Sequence, residues 1–434
     1  MSIARQIIRF ASICDREAQK LNYRLVKYIT TQTGSVQMTS PHQDRTVIVV
    51  GEQHYTPLGV IRSLGENGIR PIAVIVNING TKTASSSRYI RYCKEVDSYR
   101  DAFNFICNNF KGQTPKPILI PCDDVSVRLF DANYDELKDD FIFNNAGQNG
   151  RIAHFQNKDV LYKLAMKHGL NVANVQKIST DASNIPENID YPIITKPVSS
   201  YTGWKQDYHV CNHQADLIDA LALISPRADE VLIQKYIEKE TERTLEGASV
   251  NNGNDVFVSI ETRYTYSLPD YYSMKMEVIE PQSGNTISAL RNMLKEIGFE
   301  GIFEVEFLED VNGTLWFLEI NFRNSTWSYA STKLGMPLPL IWADGMVNGA
   351  FHDVSIANIP KKYIAIAEIP DFGQRVMRFK MISPFEWIKE IFSADCLYFF
   401  NAKDPVPFLS LCLFFVRSSL KKLLCGKSSS KQNL

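Results

Sequence analysis

The sequence predicts two kinds of architecture along one chain, an α/β region followed by an α+β region. Residues 46–76 read as an apolar strand, a loop, a helix and a second apolar strand, which is the pattern of a βαβ unit. Residues 190–325 alternate strands of antiparallel character with a helix. An Asn312-Gly313 pair between two runs of aromatic and β-branched residues predicts a β-hairpin near the end of that region.

Size and composition are those of a globular protein. The 434 residues suggest two or three domains, and the content is 44% hydrophobic and 22% charged. A formal net charge of −1 gives no reason to expect nucleic-acid binding. The eight cysteines form no CxxC pair, so we expect free thiols in a reducing cytoplasm. We find neither a convincing secretory signal nor about 20 continuous apolar residues, the length that spans a bilayer.

Both ends of the chain carry apolar residues mixed with basic ones. Residues 1–42 predict a basic amphipathic helix and a polar linker, and such a helix either lies on an anionic membrane or packs on protein. Residues 408–416 form a short apolar run that passes into basic residues. For this run we favour a core helix with a basic tail over a membrane-surface helix. Peripheral contact with the inner face of a membrane is thus one open expectation for the termini.

Two strand ends in the α/β region are candidates for binding a ligand. The loop 51–55 follows the first strand, with Thr56 as the predicted helix N-cap and Pro57 at the first helical position. Asp123 and Asp124 follow a later apolar strand. Parallel sheets bind small molecules beyond the carboxyl ends of their strands, so both loops would face one edge. An ordinary polar turn is an equal alternative for the aspartates, and no GxGxxG pattern indicates a dinucleotide.

Two lysines stand out beyond the polar stretch 144–158, which we interpret as a domain boundary. Lys158 lies at the start of a predicted helix, 159–168, where a positive charge opposes the helix dipole. Taken alone, it is more simply a surface lysine. Lys196 lies inside the apolar strand 191–197, where it either reaches solvent along its stem or meets an anion.

The remaining elements follow in order. We predict a loop at 199–205 that could cover a phosphate, a strand at 231–237 that ends in a charged run, an Asn-Gly turn at 252–253, a strand at 255–263 and a helix at 285–297. Past Ala350 the sequence shows little chemistry.

The hairpin fixes which carboxylates face each other. If Asn312 and Gly313 alone form the turn, counting outward places Glu306 opposite Glu319, and Glu304 opposite Asn321. Opposed side chains on one face repel when their charges are alike, and a divalent cation would offset that repulsion. A solvated face on which the glutamates splay apart is the alternative. The apolar residues around Glu319 indicate a buried strand, so the sequence favours a metal site.

These spaced elements together resemble the ATP-grasp superfamily. The matching residues are Lys158, Lys196 in IITKP, the QKYI segment 234–237, Glu306, and the EINFR segment 319–323. The chain looks like an ATP-dependent carboxylate–amine ligase over about 46–350, and its N-terminal pattern is similar to D-aspartate ligase-like enzymes and to ligases associated with polysaccharide synthesis. The resemblance implies an ATP-grasp fold with an N-terminal parallel-sheet domain. The implied divisions are 1–42 (helix and linker), 43–145 (pre-ATP-grasp domain), 146–350 (ATP-grasp domain) and 351–434 (C-terminal extension).

The resemblance also implies roles for single residues in binding ATP. Lys158 and Lys196 would hold its phosphates, and Glu242, or Glu240 if the alignment slips, would take the ribose hydroxyls. The hinge that meets adenine would be Gln234, Lys235, Tyr236 and Ile237, with Lys235 and Ile237 acting through their backbones. Many members have glutamate where this chain has Gln234, and the predicted phosphate-covering loop is poor in glycine.

The hairpin would supply the metal site and the catalytic cation. Magnesium, or manganese in its place, would be bound by Glu306, Glu319 and Asn321. Arg323 would meet the transferred phosphate, assisted by Lys196, and Arg263 would be a further phosphate contact. Glu304 shares the face but is not used by the family, so we interpret it as a supporting residue.

The implied reaction joins a small carboxylate to a small amine through an acyl phosphate, with release of ADP and phosphate. Two other functions stay open. One is a nucleotide-binding scaffold that has lost its chemistry, and the other is an acyl-phosphate enzyme with an acceptor other than an amine. A homo-oligomer is compatible with each of them.

Overall fold

A computed structural model describes residues 44–198, 207–268, 273–282 and 284–424 of the chain, with side chains up to residue 415. The predicted N-terminal helix and the predicted loop 199–205 lie outside these residues. The strands are β1 (Val47–Glu52), β2 (Ile72–Val76), β3 (Tyr92–Val96), β4 (Ile118–Pro121), β5 (Val175–Ser179), β6 (Ile193–Lys196), β7 (Val210–Cys211), β8 (Glu230–Lys235), β9 (Lys239–Val250), β10 (Asp255–Tyr264), β11 (Lys275–Ile279), β12 (Gly301–Asp310), β13 (Leu315–Asn321), β14 (Tyr363–Ile366) and β15 (Cys396–Leu397).

Helices lie between and around these strands. They are α1 (Tyr55–Glu66), α2 (Tyr99–Phe110), α3 (Asp124–Ala132), α4 (Tyr134–Leu137), α5 (Arg151–Phe155), α6 (Lys158–Lys167), α7 (Gln214–Ile224), α8 (Gly284–Ile297), α9 (Ser328–Lys333), α10 (Leu338–Asn348), α11 (Glu368–Asp371), α12 (Pro384–Ser393) and α13 (Val406–Leu424), with a 3₁₀ turn at Ala182–Asn184 and a π-helix at Phe372–Arg378. Among the described helices, none is both long enough and apolar enough to cross a membrane.

The first sheet is the predicted βαβ region. Its four strands pair in parallel in the order β3-β2-β1-β4, and the strands β1, β2 and β4 are buried almost throughout. Helix α1 begins two residues before the predicted start. The N-cap is His54 rather than Thr56, because the extended backbone of His54 lets its side chain accept the Thr56 N–H. Thr56 itself is already within the first helical turn.

A second, antiparallel sheet has the order β5-β8-β6-β7 and packs against α7. It carries the predicted strands around Lys196 and the hinge, and β6 ends at Lys196. Strand β8 ends at Lys235, so Tyr236 and Ile237 lie in the connection to β9.

The third sheet has seven strands in the order β13-β12-β9-β10-β11-β14-β15 and pairs in antiparallel fashion up to β14. Its interior strand β9 contains the charged run that the sequence analysis did not recognise as a strand. The run is tolerated because its charges find partners, such as Arg243 with Glu261, while Leu245 enters the core. Strands β14 and β15 come from the predicted C-terminal extension, so that segment adds two strands to this sheet.

The hairpin has a wider turn than the predicted two-residue one. Asp310 and Thr314 are hydrogen-bonded around a loop of three residues, and only Gly313 of the Asn-Gly pair has a positive φ. The Asp310 carboxylate accepts the N–H groups of Asn312 and Thr314, which stabilises this wider loop. The pairing of Phe307 with Phe317 is therefore shifted by one residue, and a bulge next to Glu306 restores the predicted pairing beyond it.

A buried ion pair ties the C-terminal segment to α1. The Arg62 Nε lies 3.0 Å from the Asp404 carboxylate, and both side chains are fully buried. Asp404 also accepts the Ser87 hydroxyl at 2.8 Å and the Arg88 N–H at 2.9 Å. This network fixes the start of α13 against the parallel-sheet region.

We expect Asp404→Ala to lower the free energy of unfolding by about 3 to 5 kcal/mol, because it leaves Arg62 buried without its counter-ion. Urea denaturation followed by circular dichroism measures this change. Replacing both residues, as in Arg62→Met with Asp404→Leu, should cost less than the single change. A loss below about 1 kcal/mol for Asp404→Ala would contradict the structural role of the pair.

Candidate functional site

The predicted carboxylate face exists in the seven-stranded sheet. Glu306 pairs directly with Glu319 across β12 and β13, and Glu304 pairs with Asn321. The Asn321 amide donates to Glu304 at 2.9 Å and to Glu306 at 2.8 Å. Burial raises the pKa of Glu306 well above its usual range, and the neighbouring Glu319 and Glu304 act in the same direction. An arrangement with this much unfavourable negative charge is suited to binding a cation.

Lys158 meets this face from another part of the chain. It is the first residue of α6, and its Nζ lies 3.3 Å from the Glu319 carboxylate and 3.3 Å from the Tyr208 hydroxyl. Burial tends to lower the pKa of Lys158, but Glu319 and Tyr208 outweigh it and raise the pKa above its usual value. Lys158 is thus a buried, charged lysine beside the carboxylates, and not a surface lysine.

Lys196 lies at the end of β6 and is likewise buried. Burial lowers its pKa to about 7, and the positive charge of Lys158 acts in the same direction. Glu319 and Glu242 oppose this shift, which places Lys196 within electrostatic range of both carboxylates. Two buried lysines close enough to lower each other's proton affinity would be stabilised in their charged forms by a bound polyanion.

Arg323 joins the hairpin to the parallel-sheet region. Its Nε lies 3.0 Å and its Nη2 lies 3.2 Å from the two carboxylate oxygens of Asp124, which begins helix α3. Its Nη2 also donates to the Asn321 Oδ1 at 3.3 Å. Burial tends to lower the pKa of Arg323, but the bidentate pairing with Asp124 raises it. Asp124 therefore orients a guanidinium at the edge of the carboxylate face.

The loops at the carboxyl ends of β1 and β4 come together, as their positions in a parallel sheet predict. A Cβ added to Gly51 would lie 3.1 Å from the Cys122 side chain and 3.2 Å from an Asp123 oxygen. Asp123 caps α3, and burial raises its pKa to about 6. The side chain of His54 is exposed at its outer edge, yet desolvation by the surrounding protein lowers its pKa to about 4, and the charge of Arg323 acts in the same direction. His54 is thus neutral near pH 7 and lies within electrostatic range of Arg323.

The predicted hinge residues lie at the end of β8 and in the connection to β9. Gln234 is buried, and its amide donates to a backbone carbonyl at 3.3 Å. The backbone N–H groups of Lys235 and Tyr236 both donate to carbonyls of neighbouring segments. A backbone contact of Lys235 with adenine would therefore use its carbonyl, while Ile237 follows in the connection to β9.

Two predicted contacts have different surroundings. Glu242 accepts the Lys239 ammonium at 2.6 Å and is on the carboxylate face, because β9 pairs Thr244 with Glu306 and side chains alternate. Arg263 lies on the opposite face, where its Nε is 3.6 Å from Glu309. The sheet itself thus separates Arg263 from Glu306, and we do not retain Arg263 as a phosphate contact.

A buried glutamate beneath the site escaped the sequence analysis. Glu246 of β9 is fully buried and accepts the hydroxyls of Ser325 at 2.6 Å and Ser328 at 2.9 Å, residues that follow Arg323 in the chain. Burial raises its pKa to about 7, and it lies beside Glu304. An available signal was a glutamate within the otherwise apolar and small run 245–250. Its contacts fix the segment that carries Arg323.

The donor set fits a magnesium ion that also binds phosphates. Two carboxylates face each other at register-paired positions, and Asn321 is engaged with Glu304, Glu306 and Arg323. In the described part of the chain, no group of three His, Cys, Asp or Glu side chains is arranged to hold a metal by itself. Magnesium is commonly held by one or two carboxylates together with substrate phosphates and water, and Glu306 with Glu319 can supply that share.

If ATP binds beside Lys196, as the resemblance implies, its affinity should depend on pH. With a pKa of about 7 in the free protein, Lys196 is mostly neutral at pH 8, and a bound triphosphate favours its charged form. We therefore expect proton uptake on ATP binding and an affinity that falls by up to about tenfold per pH unit above pH 7. Calorimetry in buffers of different ionisation enthalpy measures the uptake. Lys196→Met should abolish it; uptake that persists in this variant would contradict the assignment.

Comparison with known proteins gives the fold a name. No protein-family model matches the sequence, and no curated protein matches it significantly. Solved structures do match. N5-carboxyaminoimidazole synthetase from Staphylococcus aureus aligns over 77% of this chain and 86% of its own, with TM-score 0.57 and 15% identity. L-amino acid ligase from Bacillus licheniformis aligns over 70% of this chain and 74% of its own, with TM-score 0.53 and 13% identity.

A third similar structure is the biotin carboxylase domain of the Hydrogenobacter thermophilus 2-oxoglutarate carboxylase, solved with MgADP, ADP and bicarbonate. It aligns over 75% of this chain and 76% of its own, with TM-score 0.57 and 16% identity. These similarities confirm the ATP-grasp fold that the sequence motifs implied.

Proposed function

We propose that this protein is an enzyme, an ATP-dependent ligase that joins a carboxylate to an amine through an acyl phosphate and releases ADP and phosphate. The observation that carries the proposal is the contact between Lys158 and Glu319 at 3.3 Å. It brings one of the predicted phosphate-binding lysines, at the start of helix α6, to a predicted metal-binding carboxylate of the hairpin. The L-amino acid ligase and the MgADP-bound carboxylase domain, which share the fold, support the same chemistry.

Each side chain has a defined task in this proposal. Lys158 and Lys196 would hold the phosphates of ATP, and Glu306 and Glu319 would hold magnesium, with manganese as an alternative. When bound, the metal neutralises charge on the phosphate oxygens. Arg323, kept in place by Asp124, would stabilise the negative charge of the transferred phosphoryl group.

The hinge and the ribose contact complete the nucleotide site. Gln234, Lys235, Tyr236 and Ile237 would border the adenine, and Glu242 would accept the ribose hydroxyls. Glu242 is on the carboxylate face and influences the pKa of Lys196. That Glu242 shares the sheet face of Glu306 supports a ribose contact next to the proposed metal ligands.

The reaction then needs little covalent chemistry from the protein. A substrate carboxylate oxygen attacks the γ-phosphorus, the bond to the β-phosphate oxygen breaks, and ADP leaves. The amine nitrogen attacks the acyl carbon, phosphate leaves, and a proton is lost from nitrogen. The protein positions these reactants and excludes water from the acyl phosphate. We propose that the two substrates bind between the loop after β1, Asp123 and Arg323.

The decisive experiment measures ADP formation by the purified protein with pools of amino acids and sugar acids, with and without hydroxylamine. We expect ADP above background with one pool, and a hydroxamate when hydroxylamine replaces the amine, because hydroxylamine captures acyl phosphates. No ADP with any pool would favour the scaffold alternative. ADP and hydroxamate formation without amide formation from any amine would favour a different acceptor.

A further inference from the structure

Helix α13 is apolar on two sides, although only one side faces the protein. On the inner side, Leu411 is buried in the core, and the Phe408 ring packs against Phe400 at 5.6 Å between centroids. This agrees with the core helix that the sequence analysis favoured. A core helix with a basic tail, however, does not explain apolar residues on the outer side.

The outer side presents a row of apolar side chains to solvent, which we call the apolar face of α13. Its exposed fractions are 47% for Val406, 53% for Leu409 and 55% for Leu413. The spacing of these three residues, i, i+3 and i+7, places them along one stripe of the helix. A contiguous apolar stripe of this kind indicates a contact surface rather than scattered single residues.

The distribution of charge along the chain indicates what this surface would contact. Residues 405–434 contain five basic and no acidic residues, and residues 1–43 contain six basic and two acidic ones. The whole chain has a net charge of −1, so residues 44–404 carry a net charge of −10. An anionic surface would therefore repel the body of the protein and attract its terminal segments.

We propose that the apolar face of α13 inserts into the interfacial region of an anionic lipid surface and holds the protein there peripherally. The 19-residue helix would lie in the plane of the interface, with Leu409 and Leu413 among the upper acyl chains. A protein partner would need acidic groups around an apolar groove, whereas an anionic bilayer supplies both features everywhere. This proposal is independent of the ligase function.

The test uses the full-length protein and two kinds of vesicle, phosphatidylcholine alone and phosphatidylcholine mixed with phosphatidylglycerol. We expect co-sedimentation with the mixed vesicles, weakened by salt, and little with phosphatidylcholine alone. The double variant Leu409→Glu with Leu413→Glu should partition at least about tenfold more weakly, because it removes two buried apolar side chains and adds two negative charges. Both positions are exposed, so folding should be retained.

A matched control is available on α7, another helix with exposed apolar residues. Ile218 and Leu223 are 41% and 57% exposed, and the double variant Ile218→Glu with Leu223→Glu adds the same charge. It should bind mixed vesicles as the unmodified protein does. Equal weakening in both double variants, or no binding of the unmodified protein to mixed vesicles, would overturn the proposal. So would a protein dimer in solution that the α13 variant dissociates, because the face would then join two copies of the chain.

Discussion

Replacing Glu319 by alanine is expected to leave the protein folded and to lower magnesium-dependent ADP formation by roughly a hundredfold to a thousandfold. Glu319 faces Glu306 across the hairpin and contacts Lys158 at 3.3 Å, so its loss removes one of the two proposed metal ligands and the partner of a proposed phosphate-binding lysine. Its side chain is 25% exposed, and the relief of repulsion with Glu306 offsets the loss of the carboxylate that contacts the buried Lys158, so the protein should stay folded. The measurement is the initial rate of ADP release as magnesium is varied, together with the urea unfolding midpoint.

A matched control is Glu230→Gln. It changes an exposed glutamate of β8 that pairs with Lys177 of β5 in the four-stranded antiparallel sheet. It should have the activity and the magnesium dependence of the unmodified protein. Full turnover in Glu319→Ala at the same magnesium concentration would show that the paired glutamates do not bind the metal.

The hairpin shows how far alternation and turn chemistry carry a prediction. Counting from a two-residue Asn-Gly turn placed Glu306 opposite Glu319, and this pairing is confirmed. The route was nevertheless wrong, because the loop has three residues and β13 contains a compensating bulge. The preference of Asp310 for accepting two loop N–H groups selected the wider turn, and nothing in the local sequence marks the bulge.

Strand β9 is an element that the local sequence pattern did not predict. Its charged residues are typical of an exposed segment, because charged side chains are rarely buried without partners. In the sheet, Arg243 meets Glu261, and Glu246 meets the hydroxyls of Ser325 and Ser328. These partners are distant in sequence, so only the tertiary structure reveals that the run can be buried. The same long-range register decides that Arg263 faces away from the carboxylates.

The contact between Arg323 and Asp124 joins residues 199 positions apart. The sequence analysis placed each residue at a strand end near a predicted site, but no local rule connects the two. The pairing depends on how the hairpin packs against the parallel sheet. It joins the predicted ligand loop after β4 and the carboxylate face of the hairpin into one site. It also leads to the second prediction with a large effect.

Replacing Arg323 by lysine is expected to lower kcat by roughly a hundredfold, with a smaller change in the KM for ATP. Lysine keeps the positive charge but cannot reproduce the two parallel hydrogen bonds to Asp124, so the charge is no longer held at the proposed position of phosphoryl transfer. Asp124→Asn should lower kcat by about tenfold, because the amide still occupies the position but only one of its atoms can accept. Initial rates at saturating ATP measure both effects.

The double variant decides whether Asp124 acts through Arg323. If its carboxylate serves to orient the guanidinium, Asp124→Asn should have little further effect once Arg323 is lysine, and the two changes should be strongly non-additive. Asp124 is 41% exposed, so neither single change buries an uncompensated charge there. Fully additive losses would instead mean that each residue meets a substrate separately, and the loop after β4 would then bind its ligand through Asp124 directly.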